Sequence, residues 1–329
     1  MKKVIDIIFI ISLFISCKNQ NRKIENQVNN VDSLDYYSRL IEQNPNLDSA
    51  YYRRGILLVK QNKIDSGIAD LEKAVKINHS KKDYCFSLSD SYLLNLDSKK
   101  AQTVLDSFLY YVPDNIPALL KKARLLLILK QHLSALAILD LVGQKDPENS
   151  EAYYLAGHIF YEQGDTGRAV KSYQKAVDLN PDFTEGWIQL GDIMTEIKNP
   201  LALKCYDNAI RLDSNNIETL HNKAFALQNF SKLEEAIQQY KANISKRPDF
   251  ELSYYNLGII YQKMDSCLLA LKCLDKAIEL NDQEASSYYF RAKCKIKLAD
   301  VKSARDDLNK AIHLYADYKE AKSLLIKLK

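Results

Sequence analysis

The sequence predicts an all-α fold, a solenoid of eight antiparallel helical hairpins. Three observations predict it. Two ladders of small residues repeat every 34 positions, large residues stand four positions from the rungs, and no proline interrupts a helix interior that this period defines. The 329 residues include only 9 Gly and 7 Pro, and so few turn-forming residues favour long helices.

The two ladders mark the first and second helix of each hairpin. The first ladder consists of Gly55, Ser89, Ala123, Gly157, Gly191, Ala224, Gly258 and Ala292. The second consists of Gly67, Ala101, Ala135, Ala169, Ala202, Ala236, Ala270 and Ala304. Each ladder has one 33-residue step, and both steps span Asn199-Pro200, where a shortened turn is expected. Small side chains at the rungs would let paired helices approach closely.

Large residues accompany the rungs and are expected to fill the space between the paired helices. Four residues before the first ladder stand Tyr51, Cys85, Leu119, Tyr153, Trp187, Leu220, Tyr254 and Tyr288. Four residues after the second stand Leu71, Leu105, Leu139, Tyr173, Tyr206, Tyr240, Leu274 and Leu308. Each hairpin would expose apolar surface on both sides, so it is stable only when stacked on its neighbours.

This pattern resembles the tetratricopeptide repeat, W-x2-L-G-x2-Y…A-x3-F…P over 34 residues. Trp187-x2-Leu190-Gly191 matches the first half of the motif, and so does Tyr254-x2-Leu257-Gly258. The resemblance covers residues 48–318. It implies two antiparallel helices per repeat, stacked into a right-handed superhelix with a concave groove.

The expected organisation follows the chain from an exported leader to a capped array. Its segments are a lipoprotein signal peptide at 1–16, a lipidated cysteine and flexible tether at 17–32, an N-terminal capping half-repeat at 33–47, repeats at 48–81, 82–115, 116–149, 150–183, 184–216, 217–250, 251–284 and 285–318, and a C-terminal capping helix at 319–329. The capping helix is expected to turn Leu324, Leu325 and Leu328 inward, because arrays need polar-faced ends.

The N-terminus resembles a bacterial lipoprotein signal. Lys2 and Lys3 precede an uncharged run from Ile7 to Ser16, which is long enough for a signal-peptide core and too short to span a bilayer. A small residue directly before Cys17 resembles the lipobox, and this resemblance implies acylation of Cys17. The expected location is the bacterial cell envelope, anchored in the outer membrane and facing the periplasm. The alternatives are an uncleaved apolar N-terminus and a secretory peptide cut elsewhere.

Charge and cysteine usage exclude several classes of function. The 46 basic and 42 acidic residues are interleaved, with a net charge of +4, so no nucleic-acid-binding arm is expected. The cysteines after position 17 are odd in number and irregularly spaced, which does not indicate a disulfide framework. They are expected to be buried as small apolar side chains. These cysteines are Cys85, Cys205, Cys267, Cys273 and Cys294.

The resemblance implies a groove lined mainly by the first helices, and the groove positions form three zones. The apolar and aromatic zone contributes Tyr52 and Phe86 as candidate contacts. The acidic middle zone contributes Tyr154, His158, Glu162, Asp192, Glu196 and His221. The basic and aromatic zone contributes Tyr255, Tyr289 and Lys293. In the Tyr-Tyr pairs at 51–52, 153–154, 254–255 and 288–289, the first ring should pack inside and the second should face the groove as a binding anchor. The alternative is that the groove tyrosines only cover the helix pair.

The family has two specific sites, a carboxylate clamp and an asparagine ladder, and neither is complete at these positions. The carboxylate clamp for chaperone C-termini is not matched, because Ile56, His158 and Asp192 occupy ninth positions where it needs asparagine. Asn222 and Asn256 share the sixth position of neighbouring repeats and resemble a fragment of the asparagine ladder of sugar-transferase arrays.

The sequence favours a binding scaffold over an enzyme, with no catalytic residue, cofactor, metal or small-molecule substrate expected. A metal site from His158, Glu162, Asp192, Glu196 and His221 is the enzymatic alternative. Its two histidines lie two repeats apart, too far to share one ion at about 2.1 Å. An acidic wall for a basic peptide is the preferred interpretation. The expected function is a membrane-anchored adaptor for a protein or peptide partner. A chaperone-like or envelope-assembly factor with several clients comes second, and a cytoplasmic adaptor comes third.

Overall fold

The computed structural model describes residues 34–328. Across that range the backbone forms eighteen α-helices and no strand, so the prediction of an all-α fold built from helical hairpins is confirmed. The chain divides into two compact units between Asp165 and Thr166. The predicted signal peptide, Cys17 and the tether lie outside the described residues. Within 34–328 no helix combines the length and apolar composition needed to cross a membrane.

The described part of the first unit, residues 34–165, contains eight helices. They are α1 Leu34–Gln43, α2 Asp48–Lys60, α3 Ile64–Ile77, α4 Lys82–Leu94, α5 Ser98–Tyr111, α6 Ile116–Ile128, α7 His132–Lys145 and α8 Ser150–Glu162. Helices α2 and α3, α4 and α5, and α6 and α7 pack as hairpins, and each first helix also contacts the first helix of the next repeat. The first helices therefore form one continuous layer of this unit.

The described part of the second unit, residues 166–328, contains ten helices built in the same way. They are α9 Thr166–Leu179, α10 Thr184–Glu196, α11 Leu201–Leu212, α12 Ile217–Asn229, α13 Leu233–Lys246, α14 Glu251–Lys263, α15 Cys267–Leu280, α16 Ala285–Lys297, α17 Val301–Leu314 and α18 Lys319–Lys327. The first helices α10, α12, α14 and α16 again contact one another in order. Asn199 and Pro200 join α10 to α11, and α11 has 12 residues where α9 and α13 have 14. The missing residue is thus absorbed where the shortened turn was expected.

All sixteen rungs of the two ladders are buried. The first hairpin has glycine at both rungs. A Cβ added to Gly55 would lie 3.0 Å from the carbonyl oxygen of Gly67, and one added to Gly67 would lie 2.9 Å from the carbonyl oxygen of Gly55. No side chain fits between backbones at that distance. The prediction that the rungs allow close helix packing is confirmed.

The large residues divide into two groups with different roles. Those after the second ladder are all buried, as expected. Two of those before the first ladder fasten the turn that precedes their helix. Trp187 Nε1 donates to the carbonyl oxygen of Pro181 at 2.8 Å, and the Tyr288 hydroxyl donates to that of Asp282 at 3.2 Å. The Tyr288 ring also packs in the core of its hairpin, as expected, whereas Trp187 is only half-buried.

The first and the last complete repeat each contain an ion pair of the same kind, which the ladders do not reveal. Arg54 donates to Asp70 through Nε at 2.7 Å and Nη2 at 2.8 Å. Arg291 donates to Asp307 through the same two nitrogens at 2.9 and 2.6 Å. In each case the arginine lies on the first helix and a buried aspartate lies on the second. Planar two-point pairing of this kind fixes the orientation of the two helices.

The remaining sequence expectations concern the capping helix and the cysteines. Leu324, Leu325 and Leu328 pack against the core of the last repeat, as expected. The predicted burial of the cysteines is confirmed for Cys85, Cys205, Cys267 and Cys294, whereas Cys273 is half-buried, and all five are free thiols.

Candidate functional site

The first-helix layer of the first unit begins with stacked aromatic rings. The Tyr52 ring lies on that of Tyr84 with centroids 4.6 Å apart and planes 27° apart. The Phe86 and Phe108 rings meet edge to face with centroids 6.2 Å apart. The Lys121 ammonium lies 5.3 Å from the centroid of the Phe86 ring. Tyr52 and Phe86 are both half-buried. Their assignment to a binding groove stays a prediction.

Tyr154 and His158 differ from the expectation that they face the groove. Tyr154 is only 7% exposed and His158 only 4%, and their rings meet edge to face at 4.5 Å. Burial, helped by the charge of Arg124, lowers the pKa of His158 to about 3, so this imidazole is neutral at physiological pH. Tyr153 is the more accessible ring of its pair. The 34-residue period fixes the side of the helix on which a residue lies, but not how closely neighbouring helices cover that side.

Glu162 is exposed, and its carboxylate has a partner that the sequence did not suggest. His132 Nε2 lies 2.6 Å from Glu162 Oε2 and joins the start of α7 to the end of α8. A separation of 30 residues recurs between Asp192 and Asn222, so this spacing is a periodic signal that could have identified the contact.

In the second unit, the Asp192 carboxylate accepts hydrogen bonds from neighbouring helices of the array. The Tyr206 hydroxyl donates to Asp192 Oδ1 at 2.8 Å, and Asn222 Nδ2 donates to the same oxygen at 3.1 Å. Burial raises the pKa of Asp192 to about 6, the two hydrogen bonds oppose that rise, and the charge of Glu196 adds to it. One carboxylate therefore ties together α10, α11 and α12. Glu196 is exposed at the end of α10.

His221 also lies inside the array, which corrects the expectation that it faces the groove. It is 9% exposed, with ring centroids 5.5 Å from Tyr240 and 5.3 Å from Phe250. Asn256 Nδ2 lies 3.3 Å from its Nε2, and burial lowers the pKa of His221 to about 4. Asn222 and Asn256 thus both use their amide nitrogens for contacts between repeats, so the structure does not present them as free ladder rungs.

The last repeats carry a cluster of rings around one lysine, which we call the aromatic–lysine patch. It consists of Tyr255, Ser286, Tyr289, Phe290, Lys293 and Tyr318. The Lys293 ammonium lies 5.7 Å from the centroid of Tyr289 and 5.5 Å from that of Phe290, within reach of cation–π attraction. In the described part of the chain no carboxylate forms an ion pair with Lys293.

The patch is held together by further ring contacts. The ring centroids of Tyr289 and Tyr318 are 5.1 Å apart, and those of Tyr255 and Phe290 are 6.2 Å apart. Burial raises the pKa of Tyr318 to about 12, and the Ser286 side chain opposes that rise. The rings are half-buried and fixed by one another, so the surface is formed before any partner arrives.

The sequence identified only half of this patch. Tyr255, Tyr289 and Lys293 occupy groove positions and were predicted. Phe290 follows Tyr289 directly and is outside the groove positions, while Tyr318 lies in the turn before the capping helix. Residues that do not occupy groove positions cannot be found by counting groove positions along the repeat.

A metal centre finds no support in the geometry of the described residues. Within residues 34–328, no three His, Cys, Asp or Glu side chains converge to hold an ion.

Comparisons with known proteins agree with this architecture. A family model described as TPR repeat matches residues 157–196 and 231–265. Two further tetratricopeptide-repeat models match residues 205–238, and residues 48–80 with 252–284. The helical hairpins over these residues are similar to tetratricopeptide repeats. Proteins with tetratricopeptide repeats generally mediate interactions between proteins.

Solved structures with the same fold include two that superpose over most of this chain. One is the Cut9–Hcn1 hetero-tetramer of the APC/C, with a TM-score of 0.55 and 17% identity, covering 90% of this chain and 58% of that one. Another is a tetratricopeptide repeat protein from Parabacteroides merdae, with a TM-score of 0.56 and 18% identity, covering 75% and 97%. At these identities the likeness shows the fold alone.

Curated relatives are similar over the repeats. The DnaJ protein P58IPK homolog of Arabidopsis thaliana is 23% identical over 313 residues, which cover 89% of this chain and 60% of that protein. The protein O-mannosyl-transferase TMTC3 of Homo sapiens is 27% identical over 53% of this chain and 21% of its own length. This chain therefore spans less than two thirds of either relative.

Proposed function

We propose that this chain is a non-enzymatic scaffold that binds a protein or peptide segment on its first-helix layer. The aromatic–lysine patch is the main contact of the second unit. The observation that carries the proposal is the ammonium of Lys293, which is half-buried between two rings without a carboxylate. By contrast, Lys223 holds Asp207 at 2.6 Å and Lys295 holds Asp307 at 2.8 Å.

The chemistry of the patch selects the kind of segment that fits. An unpaired ammonium attracts a carboxylate, and fixed half-buried rings provide apolar contact at a small cost in conformational entropy. The hydroxyls of Ser286, Tyr255 and Tyr318 add polar contacts at its edge. A segment with acidic residues next to aromatic or aliphatic ones matches all three features.

The middle zone contributes less than the sequence suggested. His158, Asp192 and His221 are engaged inside the array, and Glu162 is paired with His132. The first helices also carry exposed carboxylates, such as that of Glu196. These would mainly steer the approach of a basic stretch of the partner, because exposed charges act on association rates more than on affinity.

Binding of fluorescent peptides tests the patch. An acidic-aromatic probe should bind more tightly than the same sequence with lysine in place of each acidic residue. Lys293→Met should weaken binding of the acidic probe by about 1 kcal/mol, or roughly fivefold, and reduce its salt dependence. Tyr289→Ala should cost about 1–3 kcal/mol and act mainly on dissociation.

The control for these variants is Lys310→Met, which removes another half-buried lysine on the second helix α17. Its affinity should equal that of the unchanged protein. Equal losses in Lys293→Met and Lys310→Met would mean that net charge, and not the patch, binds the probe. Similar affinities for unrelated acidic probes would favour a factor with several clients over an adaptor with one partner.

We further propose that the chain is anchored in the bacterial envelope through Cys17. The support is the signal-length apolar run that ends at this cysteine in the sequence. Mass spectrometry of the N-terminal peptide from membranes should detect Cys17 as the first residue, carrying acyl chains. Two or more chains are expected, because a single chain gives only marginal membrane binding. An intact Met1, or cleavage at another position, would refute the anchor.

A further inference from the structure

A cavity of about 330 Å³ lies in the first unit, between α4 and the two second helices α3 and α5. All three helices contribute to its apolar lining, which consists of Val75, Cys85, Leu88, Tyr92, Val104 and Phe108. Four of these residues are buried core residues, so packing of the repeats fixes the floor of the cavity. Small-molecule sites in proteins have volumes of about 300–1,000 Å³ and mostly apolar linings. We call this space the Cys85 cavity.

The Cys85 cavity lies where the other repeats carry a larger side chain. Cys85 stands at the fourth position of its repeat, which is tyrosine, tryptophan or leucine in the other seven. In two of them, the rings of Trp187 and Tyr288 extend to the backbone carbonyl six residues earlier. Cys85 contacts the equivalent carbonyl, that of His79, through Sγ at 3.7 Å. A thiol makes the same contact without a ring, and the volume of a ring stays open.

The rim of the cavity is polar and carries more positive than negative charge. Its exposed residues are Glu72, Lys76, His79, Lys100, Thr103 and Ser107. The Glu72 carboxylate already accepts a hydrogen bond from the Tyr92 hydroxyl. The Lys100 ammonium lies 5.2 Å from the centroid of the Tyr92 ring and 3.7 Å from the Asp97 carboxylate. In the described part of the chain no carboxylate forms an ion pair with Lys76. Two ammonium groups beside one engaged carboxylate favour an anion.

We propose that the Cys85 cavity binds a small carboxylic acid that carries an aromatic ring. The ring occupies the open volume beside Cys85 and contacts the apolar side chains of Val104 and Phe108. The carboxylate stays at the rim, where the ammonium groups of Lys76 and Lys100 attract it. Binding changes no covalent bond. This site is independent of the aromatic–lysine patch, which belongs to the second unit.

The proposal departs from the sequence expectation that no small-molecule substrate is bound. That expectation depends on the lack of a recognised motif. A cavity that follows from one short side chain leaves no motif, and the ladder places Cys85 among the large residues of its position. The difference between a thiol and a ring at that position is the only signal in the sequence.

Three probes with the same ring and different charges test the proposal on the purified full chain by isothermal titration calorimetry. Phenylpropionate should bind. Its neutral amide should bind about fivefold more weakly, as expected for the loss of an exposed ion pair. The cationic phenylpropylamine should bind more weakly than the amide. Absence of phenylpropionate binding, or equal affinities for the three probes, would overturn the proposal.

Two variants locate the binding. Cys85→Leu introduces the residue that Leu119 provides at the same position of the next repeat. It should abolish phenylpropionate binding and leave the melting temperature unchanged or higher, because it fills a cavity. Lys76→Met should weaken phenylpropionate binding about fivefold and leave binding of the amide unchanged.

The control is Lys73→Met, which removes an exposed lysine of α3 that does not line the cavity. It should bind both probes like the unchanged protein. Undiminished binding to a folded Cys85→Leu variant would place the probe elsewhere and refute the site. If Cys85→Leu folds poorly, the lysine variants still decide, because equal losses in Lys76→Met and Lys73→Met would show attraction by net charge alone.

Discussion

Replacing Asp307 with asparagine is expected to destabilise the second unit by about 3 kcal/mol. The Asp307 side chain is 6% exposed and accepts from Arg291 and from Lys295. Those two cations are themselves only 17% and 19% exposed. Loss of the carboxylate charge would leave them facing each other across a buried space. Removing one partner of a buried ion pair costs far more than the pair contributes relative to an apolar core.

The same arginine provides a matched control. Arg291 Nη1 also donates to Asp275 on α15 at 2.8 Å, but the Asp275 side chain is 59% exposed. Burial tends to lower the pKa of Arg291, and the hydrogen bonds of Asp307 and Asp275 more than offset it, so the guanidinium stays charged. Asp275→Asn should therefore change the unfolding free energy by at most about 1 kcal/mol.

Thermal and urea unfolding followed by circular dichroism would measure both variants. The expected result is a clear drop in melting temperature for Asp307→Asn and a small one for Asp275→Asn. Equal effects would mean that burial does not decide the strength of this pair. An Asp307→Asn variant as stable as the unchanged protein would show that the two cations can relax into solvent.

The success of the ladders and the failure of several groove assignments have one physical cause. A rung such as Ala236 is read correctly because the distance between two helix axes leaves room only for a small side chain. A groove position states only which side of a helix a residue occupies. His221 was assigned to the groove, but the rings of Tyr240 and Phe250 pack against it.

Polar contacts between repeats were the least accessible to sequence reasoning. Asp192 was chosen as a free carboxylate, yet Tyr206 and Asn222 both donate to it. Its partners lie 14 and 30 residues away. The spacing of 30 recurs between His132 and Glu162, but it differs from the 34-residue period that the ladders follow. The pairing of Arg291 with Asp307 at a spacing of 16 was missed for the same reason. Such contacts depend on the depth of each side chain, and a period along the chain carries no information about depth.

Replacing Ala236 with leucine is expected to destabilise its hairpin by about 1–3 kcal/mol. Ala236 is 0% exposed and lies in one core cluster with Ala224, Leu227 and Tyr240. Added methyl and methylene groups would have to displace these neighbours or force strained rotamers. Because each repeat is stable only through its neighbours, the effect should spread to the adjoining repeats.

Ala242 on the same helix is the control, since it is exposed and alanine and leucine have similar helix propensities. Ala242→Leu should stay within about 0.5 kcal/mol of the unchanged protein. Melting temperatures would compare the two variants, and hydrogen exchange would locate the loss. In Ala236→Leu, amides of α12, α13 and α14 should exchange faster, because α13 contacts both neighbours. An unchanged melting temperature, or faster exchange confined to α13, would place Ala236 at a looser contact than the ladder implies and would limit the coupling between repeats to the single hairpin.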